Sequence, residues 1–363
     1  MIGGEFRTNH APIFLTRPFY GRDLKRTNGG LVVLSETPAG NAAGPRVGEY
    51  FSHPPALLGG VDNGQSGELP PERLPIEKEP TIDWEPDFSK WLCANDYGVT
   101  AGDGQDDTAA LQAAFDIAAE QGCTVVTLRG IKRKQKRGWY HLKGDVIVKA
   151  PVRQVLGLGF ARVLGRGRFV VNEASAPLVR FQHINSFGGA PPEFAVEAAD
   201  RTMVCDSCGG LYTGTAGRMF LTNTPGHLDI GPGVSCWARH FNPEGDSSKE
   251  GNPEGGLVAN RGGKLWIMGT KAEGRGTRYF LSDGGETEIY GFYAYTNFSG
   301  ANQDPRPMFV VDESGGRLFA AGVKEVTFNQ AGYQYKAKAA DGSFLSKETL
   351  NRRPWTHFGT AEE

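Results

Sequence analysis

The sequence predicts an all-β solenoid, a stack of short strand coils closed at its N-terminal end by one α-helix. Three observations predict it. Glycine stands at 51 of 363 residues, about twice the ~7 % of an average protein, as many tight turns between short strands would require. From Trp139 to Phe328 apolar runs are short and broken by Gly, Asn or Asp. Within that region a unit recurs: Gly262-Gly263-Lys264-Leu265-Trp266-Ile267-Met268-Gly269 is echoed by Gly284-Gly285-Glu286-Thr287-Glu288-Ile289-Tyr290-Gly291 and by Gly315-Gly316-Arg317-Leu318-Phe319-Ala320-Ala321-Gly322. The second interval is longer than the first, so one unit carries an insertion. A unit with one strand cluster cannot bury its apolar face alone and must stack on its neighbours. A propeller blade needs about 40 residues and four strands, so a propeller fits less well.

The helix is the clearest local signal. In Gly104-Gln105-Asp106-Asp107-Thr108-Ala109-Ala110-Leu111-Gln112-Ala113-Ala114-Phe115, Asp106, Asp107 or Thr108 can cap the free amides of a helix start. Leu111, Ala114, Phe115 and Ala118 recur at helical spacing and Gly122 supplies the stop. A helix over about 108–121 is a natural cap, because an open solenoid end would expose unpaired strand edges.

Around this core the chain changes texture. Residues 1–34 hold short β-like runs with glycine pairs. Residues 35–90 are rich in Pro, Gly, Glu and Asn, including Pro54-Pro55 and Pro70-Pro71, which reads as an extended connection that either links two bodies or wraps along one.

Charge and cysteine usage exclude some functions. With 39 Lys plus Arg against 41 Asp plus Glu, the net charge of -2 gives no global attraction to nucleic acid or an anionic membrane. No apolar stretch approaches the ~20 residues of a membrane span. Five cysteines, Cys93, Cys123, Cys205, Cys208 and Cys236, are too few for a disulfide scaffold and fix no redox compartment. The opening Met1-Ile2-Gly3-Gly4-Glu5-Phe6-Arg7 shows no signal-peptide pattern, so localisation is left open.

The run Asp96-Tyr97-Gly98-Val99-Thr100-Ala101-Gly102-Asp103-Gly104-Gln105-Asp106-Asp107-Thr108-Ala109-Ala110-Leu111-Gln112-Ala113-Ala114 closely resembles the opening motif of the pectate-lyase-3 group, β-helix proteins related to glycoside hydrolase families 28 and 55. The resemblance implies a right-handed parallel β-helix over residues 91–335 with one N-terminal capping helix, leaving 336–363 as a tail. It implies a structural role for Asp103, Asp106 and Asp107. It also implies a carbohydrate-active protein, a glycoside hydrolase first and a polysaccharide lyase second, with a polysaccharide or oligosaccharide as partner and no cofactor. Relatives often carry two such helices side by side, each opening with the motif. This chain has it once, so residues 1–34 look like the last coils of a first β-helix, with which the main stack would be in contact. The other reading is a non-catalytic carbohydrate-binding or structural β-helix.

Glycoside hydrolysis needs two carboxyl groups across the scissile bond. In a solenoid these come from neighbouring coils, so spacing along the chain hides them. The most concentrated candidate is Trp237-Ala238-Arg239-His240-Phe241-Asn242-Pro243-Glu244-Gly245-Asp246. Here Glu244 and Asp246 are the catalytic candidates, and Trp237, Arg239 and His240 the substrate-binding ones. Strand alternation places Trp237, Arg239 and Phe241 on one side and Ala238 and His240 on the other. Arg239, Lys249 and His240 could instead serve lyase chemistry, although no stacked Asp cluster for a calcium ion is legible. Cys205-x-x-Cys208 with Cys236 and His240 has the residue types of a zinc site, but a lone CxxC more often marks buried thiols, and no metal is expected. The basic run Arg129 to Gly138 is crowded with Lys and Arg. With no aromatic residue inside it, it reads as a solvated loop.

Overall fold

The computed structural model describes residues 74–130, 138–186, 190–243, 257–274, 280–296, 307–312, 315–327, 335–338, 342–346 and 356–360, together with short strands within 1–58. The chain is a parallel β-helix. Two long sheets, of thirteen and ten strands, carry the stack, and within it successive coils pair in parallel. The turns of the solenoid differ in length. Val204 to Phe220 is a short turn, and Glu288 to Phe319 a long one.

Each coil has three faces. Face I is the first leg of strands such as Gln154–Leu164, Lys264–Gly274 and Glu286–Thr296. These strands turn a corner on a single left-handed residue and continue as face II. Phe160, His183, Ser207, Asn223 and His240 take that corner with φ of 52 to 61°, followed by Gly269 and Gly291. Face III is the ten-strand sheet, including Asp145–Ile147, Arg168–Val171, Glu193–Val196, Gly210–Gly214 and Gly226–Ile230.

The glycine-pair repeat marks the turn from face III into face I. Gly262, Gly284 and Gly315 sit at positive φ, where an L side chain is strained. At Gly263, Gly285 and Gly316 a Cβ would stand 2.3–2.8 Å from the preceding coil. Beyond the pairs, Lys264, Glu286 and Arg317 stack in register.

Alternate residues of face I point inward. Val155, Phe181, Met203, Cys205, Met219, Leu221, Cys236, Ala238, Leu265, Ile267 and Ile289 are all buried in one continuous core. Rings stack along it, Phe169 on Phe194 and Phe194 on Tyr212, at 5.6 Å each. Cys205, Cys208 and Cys236 are interior residues whose thiols burial pushes up, that of Cys208 to about 12.

The helix α1, Thr108–Glu120, closes the N-terminal end with its side chains. Leu111, Ala114, Phe115 and Ala118 go into the core. Thr108 Oγ1 accepts from the backbone of Lys143 and Gly144, and Gln112 Oε1 from Ile147 at 2.7 Å. Edge-strand amides that would face solvent are thereby bonded. Asp106 accepts from Thr108 N, while Asp107 accepts from Thr100 N at 2.9 Å and His141 N at 2.8 Å. Burial pushes the Asp107 carboxyl up despite those bonds. The acidic motif thus joins the cap to the first coils.

Residues 74–87 run along the outside of face I towards this cap. Leu74 N bonds Glu288, Pro75 O takes the Trp237 indole N–H, Glu79 meets Arg180, and Glu85 meets Thr124 and Arg153. This acidic strap therefore passes coil by coil down the stack. Upstream, Ala56–Leu58 pairs antiparallel with Leu318–Ala320 at the opposite end of face I. Strands within residues 5–51 form two small sheets of their own, and one of these strands, Arg46–Phe51, falls inside the stretch expected to be extended linker.

Candidate functional site

The chemically richest surface is the outer side of face III. Parallel register puts Asp145, Arg168, Glu193, Leu211 and His227 in one column across five coils. A second column holds Ile147, Val170, Ala195, Thr213, Asp229, Ala259, Leu281 and Val310. The polar end of this surface lies around Glu193, Thr213 and Asp229. Ala259, Leu281 and Val310 form a small buried apolar cluster beyond it.

Within the polar end the side chains are engaged with one another. Arg168 bonds both oxygens of Asp145, at 2.8 and 2.5 Å, and Glu197 at 2.6 Å, with Glu193 3.9 Å away. The guanidinium holds the Asp145 carboxyl below the usual carboxylate range, and the acids raise Arg168 in turn. Thr213 donates to Glu193 Oε1 at 2.6 Å. One coil on, Asp229 is bonded by Arg261 Nε at 3.1 Å, whose Nη1 lies 3.6 Å from Asp283.

The key relation is between Glu193 and Asp229. Glu193 reaches forward to Thr213, and Thr213 is paired with Asp229 across a strand spacing of ~4.8 Å. Asp229 leans further on, towards Arg261. Glu193 and Asp229 therefore stand on the strands on either side of Thr213. Side-chain exposures of 21 % for Glu193 and 37 % for Asp229 leave both open to a ligand.

The sequence candidates lie elsewhere. Trp237 is 5 % exposed, stacked on Phe220 at 5.0 Å and donating to Pro75 O at 2.9 Å. Arg239 donates to Glu77 O at 2.5 Å and lies over the Trp266 ring. Both serve as seats for the strap. His240 is the exposed corner residue, its Nδ1 3.1 Å from Asn223 Oδ1. Its left-handed φ of 52° breaks the strand alternation, so Phe241 is a fully buried core residue rather than a neighbour of Trp237 on the outer side. Glu244 and Asp246 lie outside the described residues, as do 131–137 of the basic run. Sequence reasoning missed Glu193, Thr213 and Asp229 because they stand on three successive strands of face III, each a full coil apart along the chain. Only the coil register brings them together.

No family model matches the chain, and no curated protein matches it. Among solved structures, PfbA, a surface adhesin of Streptococcus pneumoniae, aligns over 68 % of this chain and 74 % of its own, at 12 % identity and a TM-score of 0.33. The Agl-KA catalytic domain aligns over 78 % and 69 %, at 11 % identity and a TM-score of 0.23. The architecture itself rests on the strand register.

Proposed function

We propose that this β-helix is a glycoside hydrolase that binds a polysaccharide along face III and cleaves it with inversion, using Glu193 and Asp229. The observation that supports the reading is the pair of partly exposed acids on face III, Glu193 bonded by Thr213 and Asp229 paired with Thr213 on the next strand. Asp229, against the Arg261 guanidinium, suits the general base that activates the water. Glu193, one strand before Thr213, is assigned the general acid that protonates the leaving oxygen. Arg168 and His227 stand on the same surface as donors for sugar hydroxyls. The resemblance of residues 96–114 to the pectate-lyase-3 opening supports the same substrate class.

A panel of polysaccharides, assayed together for new reducing ends and for unsaturated uronates, tests the proposal. Reducing ends without unsaturation, lost about 10²–10⁴-fold in Glu193→Gln and Asp229→Asn, are expected. Unsaturated products would make it a lyase. The second reading, a binding β-helix without catalysis, draws on the ion pairs that already engage Arg168 with Asp145 and Glu197. Binding without cleavage would favour it.

A further inference from the structure

Of seven buried side-chain polar atoms without a hydrogen-bond partner among the described residues, five gather in one place. Arg153 Nε, Gln154 Oε1, Arg180 Nε, Arg239 Nη1 and Trp266 Nε1 are all such atoms, and all belong to the outer side of face I, which the strap covers. Four of the five are donors. Folded proteins seldom leave buried donors unmet, because each loses its water without replacement.

The same strip is built for more than the strap supplies. Arg153, Arg180 and Arg218 meet Glu85, Glu79 and Glu77, so the strap presents one carboxylate after another down the stack. Between these cations and beyond them lies an aromatic row, Phe220, Trp237, Trp266, Tyr290 and Phe319. Beside the strap's Leu74, Pro75 and Glu77, a crevice of about 110 Å³ opens onto Trp237, Trp266, Ser235 and Lys264, offering an entry point.

We infer that the outer side of face I is a second carbohydrate groove, for an anionic polysaccharide, and that residues 74–87 are its built-in competitor. Sugar rings bring apolar faces for the aromatic row, oxygens for the unmet donors, and a carboxylate or sulfate for each arginine. A peptide strap matches the charges and leaves the donors unmet. Displacement is an exchange, since the incoming chain covers the rings that the strap leaves. The groove shares no residue with face III.

The test reads strap release directly. Lys78 is exposed within the strap, so tryptic cleavage after it, followed by mass spectrometry of the full chain, reports displacement. The probes are an oligogalacturonide, dextran sulfate, neutral dextran and a poly-glutamate peptide, the first two distinguishing carboxylated from sulfated ligands. An anionic sugar should accelerate cleavage at Lys78 and quench tryptophan fluorescence, while neutral dextran does neither. The Glu77→Gln, Glu79→Gln double variant, with its competitor weakened, should bind that probe about tenfold tighter. Arg180→Gln with Arg218→Gln should lose binding, whereas Asp229→Asn keeps it, which separates this groove from face III. Unchanged or slowed cleavage at Lys78 with every probe would overturn the inference in the unaltered protein. So would a preference for poly-glutamate over both anionic sugars.

Discussion

Trp237 is the residue on which the sequence and the structure differ most usefully, and its truncation has a definite expected cost. The indole is 5 % exposed, lies 5.0 Å from the Phe220 ring, has the Arg218 guanidinium 5.4 Å from its centroid and bonds Pro75 O. A Trp of this burial removes ~150–250 Å² from water, at ~25 cal/mol per Å². Trp237→Ala should therefore destabilise the fold by about 3–5 kcal/mol. Trp237→Phe keeps the stacking and gives up the bond to Pro75 O, which is worth about 1 kcal/mol. Guanidinium unfolding followed by far-ultraviolet circular dichroism reads both, and the slope should stay constant if only native stability changes. A shift below about 1 kcal/mol for Trp237→Ala, outside the range for truncating a packed Trp, would refute the packing argument and return Trp237 to the role of a free sugar platform.

Other expectations follow from the same geometry. Asp107→Ala strands the amides of Thr100 and His141 and should cost about 2–5 kcal/mol, whereas Arg129→Ala breaks only an ion pair exposed on both sides and should cost under about 0.5 kcal/mol by urea unfolding. Gly165→Ala would push a Cβ to 1.9 Å from Leu142 O at a φ of +112°, so it should lose more than about 3 kcal/mol or fail to fold, read by soluble yield and thermal midpoint. Asp106, Asp116 and Asp145 are held below the ordinary carboxylate range, chiefly by bonds from Thr108, Lys149 and Arg168. Their stabilisation is present above the unfolded-state value of about 3.9 and is lost as pH falls through the lower folded values. The urea midpoint should drop below about pH 4, and Asp145→Asn should flatten that drop.

The parts of the fold that local chemistry dictates are legible in the sequence. The glycine pairs that begin at Gly262, Gly284 and Gly315 read as a repeat because each coil turn demands the same backbone and the same missing Cβ. Helix α1 is readable because Leu111, Ala114, Phe115 and Ala118 fall on one side of it. What crosses coils is not. Glu193, Thr213 and Asp229 meet through registers set by coils of unequal length, and no fixed spacing advertises them. Trp237 and Arg239 do share the outer side of a strand, as alternation predicts. The segment 74–87 that covers them lies far upstream, with sequence separations of 162, so nothing local reveals it. Phe241 departs from the expected alternation because one left-handed residue, His240, resets it.

The most direct test of the central claim is the stereochemistry of the first product. Proton nuclear magnetic resonance of the anomeric region, recorded during early turnover on whichever polysaccharide the panel identifies, shows the released sugar before mutarotation. Asp229 acting as a base on water, with Glu193 as the acid, predicts the inverted anomer, and its disappearance in Glu193→Gln and Asp229→Asn alike. A retained anomer, or cleavage that persists in both variants, would contradict the assignment of face III as the catalytic surface.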